Sequence, residues 1–244
     1  MMADVLEVAI AAARAAGEIQ RAGMRGPVAV RSVTAHDLKL QTDVDCEAAI
    51  RDIIGSVFPD HAILGEEEGG VIADSVPTWI VDPLDGTVNY ARHLPHFCVS
   101  IAVQIAGRAT VGVVYHAVTD ELFTAREGDG AFLNGERITV SNVTHLRDAM
   151  IAMGCGKSKS AIDGTLNAMR DMMYSAQKVR IWGAAALEMA YIACGRLDGF
   201  IEDGLRSWDV AAGTVLVREA GGRVHLTPAG EFAWNVRADN GQLF

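Results

Sequence analysis

Leu6, Ala9, Ile10, Ala13, Ala16 and Ile19 recur at steps of three and four residues, the repeat of a helix with one apolar stripe. Residues 4–23 are therefore expected to form an amphipathic helix. Glu7, Arg14, Glu18 and Arg21 interrupt this alanine-rich segment and no cleavage-type pattern follows, so it reads as neither a membrane span nor a signal peptide. Residues 28–40 show no period and read as irregular. Thr42 is placed to cap a second helix over 43–58, which Pro59 ends. A short strand over 62–64 then enters Gly65-Glu66-Glu67-Glu68-Gly69-Gly70, a turn that on its own reads as a solvated acidic loop.

Residues 78–81 are apolar and β-branched, the mark of a buried strand, and Pro83 is expected to stop it at Asp82 because proline has no amide for the ladder. Strands at 98–105, 110–118 and 121–125, separated by Ala106-Gly107 and Thr119-Asp120, read as antiparallel neighbours. Further strands are expected at 131–133 and 138–141. From Ala149 the pattern alternates: strand 150–153, helix 161–174, strand 178–182, helix 184–193, strand 197–202, then a helix over 208–220 capped by Ser207 and stopped by Gly221-Gly222. Two short strands fill the tail. The change of pattern divides the chain into an N-terminal half, 1–145, with helices and an antiparallel sheet, and a C-terminal α/β half, 146–244.

With 244 residues, 50% hydrophobic and 21% charged, the chain suits one large domain or two intimately packed halves. A net charge of −10 argues against a nucleic-acid binder, whose footprint is usually basic, but not against an anionic substrate once cations occupy the carboxylates. Cys46, Cys98, Cys155 and Cys194 are scattered, which fits neither a zinc site nor a disulfide framework and points to a reducing cytoplasm.

The chemistry gathers in Trp79-Ile80-Val81-Asp82-Pro83-Leu84-Asp85-Gly86-Thr87. Two carboxylates stand three residues apart where the strand breaks, Leu84 offers a carbonyl, Gly86 admits close backbone approach, and Thr87 adds a hydroxyl and an amide. These donors suit a hard cation such as Mg²⁺, and bare amides suit an anion. An ordinary strand-ending turn has the same composition. Asp43, Glu66, Asp82, Asp85 and Asp209 all fall at element ends, which gather at one edge of an α/β sheet; Asp209 is also explained by the helix dipole, worth about 0.3–1 kcal/mol. His93 and His96 flank a proline and read as a structural loop. Gly154-Cys155-Gly156-Lys157-Ser158 lacks phosphate-loop spacing. Trp208 reads as a packing anchor for Asp209.

In order and spacing, Gly65-Glu66-Glu67, Asp82-Pro83-Leu84-Asp85-Gly86-Thr87 and Trp208-Asp209-Val210-Ala211-Ala212-Gly213 resemble the inositol monophosphatase family, as do Gly112-Val113-Val114-Tyr115, Gly130-Ala131-Phe132-Leu133-Asn134-Gly135 and Glu219-Ala220-Gly221-Gly222. The resemblance covers nearly the whole chain. It implies an α/β (α+β) fold, a layered αβαβα sandwich of the sugar-phosphatase type with one mostly antiparallel sheet and one smaller mixed sheet. It implies Mg²⁺-dependent, lithium-sensitive hydrolysis of a small phosphate monoester, inositol monophosphate or a related sugar or polyol phosphate, with two to three ions and a homodimer. By the same resemblance Glu66, Asp82 and the Leu84 carbonyl hold one ion, and Asp82, Asp85 and Asp209 a second. Glu66 with Asp43 approaches a third, and Asp43 with Thr87 orients the water. Gly86 and Thr87 amides bind phosphate, while Gly183, Ala184, Ala185, Glu202 and Asp85 contact the alcohol. Histidinol phosphate, fructose 1,6-bisphosphate and 3′-phosphoadenosine 5′-phosphate are alternative substrates. A regulatory protein associated with RNA or the transcription machinery is the alternative of a different class. Two features depart from the family: Ala184 stands where many members carry a hydroxyl, and members commonly continue into another helix after the segment resembling Ala238-Asp239-Asn240-Gly241, so altered edge or dimer packing is expected.

Overall fold

The computed structural model describes residues 4–33, 38–73, 75–156 and 159–244, except the side chains of Ser160 and Ala161. Lys157 and Ser158 lie outside the described residues.

Helix α1 (Val5–Gly23) forms as expected, and its inner face is Val8, Ala9, Ala12, Ala13, Ala16, Gly17 and Gln20. Small side chains there let the helix lie close to the sheet beneath. Two short strands, β1 (Val30–Val33) and β2 (Leu38–Leu40), pair antiparallel where the sequence reads as irregular. Every β1 residue is exposed, so no apolar alternation announces it. Helix α2 (Gln41–Val57) follows, starting ahead of the expected Thr42 cap. The N-cap is Leu40, and Asp43, the third helical residue, reaches back so that its Oδ2 accepts the Leu40 amide at 2.6 Å.

Strands β3 (Ala62–Gly65) and β4 (Gly69–Gly70) lead to β5 (Thr78–Asp85), which does not stop at Asp82. Asp82 pairs with Ser100 and Asp85 with Cys98, so Pro83 and Leu84 together oppose Val99 in a bulge. The bulge removes the need for a proline amide, and the strand continues. Helix α3 (Thr87–Ala91), then β6 (Cys98–Ile105), β7 (Arg108–His116), β8 (Glu121–Arg126), β9 (Gly130–Leu133) and β10 (Glu136–Ile138) complete an eight-stranded sheet of order β10-β9-β8-β7-β6-β5-β3-β4. Among the described residues only β3 and β5 run parallel in it.

The second sheet is built from β11 (Met150–Met153), helix α4 (Lys159–Ser175), β12 (Lys178–Arg180), helix α5 (Ala185–Ala193), β13 (Gly199–Arg206), helix α6 (Ser207–Glu219), β14 (Arg223–Gly230) and β15 (Ala233–Asp239). Its order is β12-β11-β13-β15-β14, with β11 parallel to both neighbours and the other pairs antiparallel. The tail strands are 8 and 7 residues long, longer than expected, because they pair with each other and β15 also pairs with β13.

Helices α1 and α2 cover one face of the large sheet, α5 and α6 fill the space between the sheets, and α4 packs outside the small one. This is the expected αβαβα layering. All eight residues of β5 are buried, since helices cover both its faces. Each large apolar side chain sealed in these cores, such as Trp79, Phe123 or Phe200, contributes about 1.5–3 kcal/mol.

Candidate active site

Burying Asp82 and Asp85 inside β5 forces their oxygens toward whatever polar groups the bulge exposes. Asp82 Oδ1 accepts the Leu84 amide at 2.9 Å, and Asp85 Oδ2 accepts the Ala186 amide at 2.8 Å from the start of α5. Gly86 follows at φ +92, where a Cβ would stand 2.9 Å from the His96 carbonyl; only glycine fits both demands. The turn delivers Thr87, whose hydroxyl donates to the Leu84 carbonyl at 3.0 Å and to Asp43 Oδ1 at 3.3 Å. Asp43 thus stands behind Thr87, joined to the motif by side chains that are distant in sequence. Asp209 repeats the Asp43 device on α6: its Oδ2 accepts the Arg206 amide at 2.6 Å, and the expected Ser207 cap is displaced.

These elements enclose a cavity of about 220 Å³ lined by Glu66, Asp82, Leu84, Asp85, Gly86, Thr87, Gly183, Ala185, Glu202 and Asp209, with Leu38, Val88 and Leu205 at its rim. Nearly all the residues singled out in the sequence therefore meet. Two stand apart from the lining. Asp43 lies behind Thr87, and Ala184, 1% exposed, packs into the core between the sheets.

No lysine or arginine lines this cavity among the described residues. Burial pushes the Asp43 carboxyl up to about 7, Asp85 up to about 6 and Glu66 up to about 8, and raises Asp82 well above the usual range. Mutual repulsion adds to this: Asp209 acts on Glu66, and Glu66, Asp85 and Asp209 act on Asp82. Buried carboxylates without a counter-charge are costly, and a multivalent cation is the compensation their geometry leaves room for. Among the described residues no three His, Cys, Asp or Glu side chains are drawn together closely enough to hold an ion as they stand. One oxygen of each aspartate named above is engaged by a backbone amide instead. The donor set itself, carboxylates with the Leu84 carbonyl and the Thr87 hydroxyl, is all oxygen and fits a hard cation.

The opposite wall comes from the small sheet. Glu202 lies on β13, half-buried and pushed up to about 8 by burial and by Glu188, at a bulge where Asp203 and Gly204 oppose Asn235. It also borders a hollow of about 550 Å³ with Arg206, Trp208 and Asn235. Trp208 packs against the core between the sheets, and its carbonyl accepts the Ser100 hydroxyl at 3.1 Å. His96 packs on Trp182, with ring centres 5.1 Å apart, and burial lowers it to about 4.

Sequence reasoning missed three supports. Glu47 accepts the amides of Glu67 at 2.8 Å and Glu68 at 3.0 Å and pairs with Arg51, so it moulds the acidic turn. Its signal was present: Asp43, Glu47, Ile50 and Ile54 share one helix face, and an acid on a buried stripe calls for a partner. Gly154 leaves space for Glu202, since a Cβ there would stand 1.7 Å from Oε2. Asn89 donates to the His96 and Trp182 carbonyls at 2.9 and 2.7 Å, tying the turn to the far wall.

A model of the inositol monophosphatase family matches residues 1–240. Inositol monophosphatase 2 of Solanum lycopersicum is 42% identical over 254 residues, covering 99% of this chain and 96% of that protein. Nus factor SuhB of Escherichia coli strain K12 is 44% identical over 227 residues, covering 91% of this chain and 85% of that protein. The crystal structure of extragenic suppressor protein suhB from Bartonella henselae superimposes with a TM-score of 0.91 at 37% identity, covering 98% of this chain and 94% of that one. With an acid-lined cavity at the junction of its two sheets and this likeness along its whole length, the chain belongs to the generally metal-dependent inositol monophosphatase family and is a phosphomonoesterase.

Proposed function

We propose that this enzyme hydrolyses the phosphate monoester of a small polyol or sugar, inositol monophosphate first among them, with two to three Mg²⁺ ions. The observation that carries the reading is the convergence of Glu66, Asp82, Asp85 and Asp209 on one cavity with Glu202 facing them. Glu66, Asp82 and the Leu84 carbonyl would hold one ion, Asp82, Asp85 and Asp209 another, and Glu66 with Asp43 a third, weaker one. When bound, the ions supply Lewis-acid stabilisation of the phosphoryl oxygens and lower the pKa of the attacking water. Thr87 and Asp43, already linked at 3.3 Å, orient that water. The Gly86 and Thr87 amides receive phosphate oxygens at the positive end of α3. Glu202 and Asp85 accept hydroxyls of the alcohol beside the Gly183–Ala185 backbone. The protein's contribution is position and fixed charge.

Phosphate release from a panel of inositol, sugar, histidinol, fructose and nucleotide phosphates, with and without Mg²⁺, tests this. Preference for a polyol ester that vanishes without Mg²⁺ is expected; equal turnover without divalent cations would sink it. Lithium inhibition is expected at the weakest ion site. Homodimerisation and a cytoplasmic location belong to the same reading, and sedimentation and fractionation test them. Among the described residues no helix is long and apolar enough to cross a membrane. A second reading, association with RNA or the transcription machinery, draws on the relatives named Nus factor SuhB, while the net charge of −10 speaks against direct contact with nucleic acid.

A further inference from the structure

Glu188 is a buried carboxyl that none of these roles uses. It lies near the start of α5, 1% exposed, between Leu187 and Met189 of the central core. A carboxyl is costly there unless it holds something. What it holds is the bend before the helix: the Ala184 amide donates to Oε1 at 3.3 Å, and although burial pushes the carboxyl up to about 8, the Ala184, Gly183 and Trp182 amides act against that shift. Its other oxygen, Oε2, has no hydrogen-bond partner, so the residue serves this local contact and not a wider network.

The helix start explains the need. Ala184 is the N-cap residue of α5 and offers no side-chain cap bond. Serine, threonine, aspartate or asparagine normally fills that position because an oxygen must take a free amide. Here the oxygens are imported. Asp85 reaches across from β5 to the Ala186 amide, and Glu188 folds back to the Ala184 amide. On the other side of the bend Asn89 holds the Trp182 carbonyl at 2.7 Å. Between these clamps sits Gly183, at φ +75 and on the cavity wall, a residue with little conformational preference of its own.

We propose that Glu188 is the positioning residue of the alcohol-facing wall: by taking the Ala184 amide just ahead of the first turn of α5, it fixes the backbone of Gly183 and Ala185 against which the substrate's organic part rests. The inference rests on the polyol-phosphate reading of the cavity for its effect on binding, though not for its effect on the wall.

Two variants in the full-length protein test it. Glu188→Met keeps the volume and removes the acceptor, whereas Glu188→Gln keeps an amide oxygen at the Oε1 position. Hydrogen exchange across residues 182–186, read by mass spectrometry, is expected to speed up about tenfold in Glu188→Met, and KM for inositol monophosphate to rise by about the same factor with a smaller change in kcat. Glu188→Gln should keep both within about threefold. Should Glu188→Met not fold, Glu188→Asp, which keeps the charge but shortens its reach, should speed the same exchange. Exchange that stays at the native rate, Gln as damaging as Met, or a fall in kcat with KM unmoved would each overturn the proposal. Exchange needs no substrate, so a native protein inert toward every polyol ester would sink the substrate reading alone.

Discussion

The two walls of the cavity are built by different means. On the metal-facing side, Asp43, Asp82 and Asp209 are each locked by a backbone amide two or three residues away, so each carboxylate is oriented by its own stretch of chain. On the alcohol-facing side most supports lie far apart in sequence: Gly154 makes room for Glu202, Asn89 holds Trp182, and Asp85 caps α5, while Glu188 alone of these acts on a near neighbour. The phosphate chemistry is therefore written in short strings, while the choice of alcohol depends on how the two sheets pack.

The sharpest way to break this contrast is Asp82→Asn. Asparagine keeps an oxygen for the Leu84 amide but removes the charge, so Mg²⁺-dependent phosphate release should fall about a thousandfold or more with the fold intact, as circular dichroism would check. Near-normal turnover would end the metal assignment. Gly154→Ala acts on the other wall. The new Cβ displaces the Glu202 carboxylate, so KM for a polyol phosphate should rise about tenfold with kcat little altered. Equal losses in kcat would mean that the walls are not separable.

A smaller effect joins the two sides. Asp43, Glu66, Asp85 and Glu202 are all shifted upward, to about 7, 8, 6 and 8, chiefly by burial. Between the ordinary carboxylate range near about pH 4 and about pH 8, the metal-free folded protein then binds more protons than the unfolded chain. Stability is full below that window and declines as pH rises through it. The metal-free melting temperature should fall by several degrees from about pH 5 to about pH 8, and Mg²⁺ should raise it more at the upper end. A melting point that climbs with pH, or a Mg²⁺ gain independent of pH, would contradict the site's charge balance.

Much of the metal-facing wall was legible in the sequence because its logic is local: Asp82, Asp85, Gly86 and Thr87 lie within one turn. What was misread is also instructive. Thr42 and Ser207 look like caps by residue type, yet each helix starts earlier than that reading requires, so both lie within the first turn and Asp43 and Asp209 reach back to the amides of Leu40 and Arg206. Strand β1 was invisible because it is exposed, and the length of β14 and β15 because pairing partners, not propensity, extend them. Glu47 and Gly154 were missed for a different reason: each acts on a residue distant in sequence, Glu47 on the turn after β3 and Gly154 on a side chain of β13.

The bulge at Pro83 and Leu84 has one more consequence, which is arithmetical. A regular strand counts in twos, and residues separated by an odd number of steps face opposite sides of the sheet. Asp82 and Asp85 have odd separation, yet both line one cavity. The unpaired residue changes the parity of the strand at that point and brings the second carboxylate round to the side of the first. Proline, which the ladder cannot use, thus marks the place where the count must be reset.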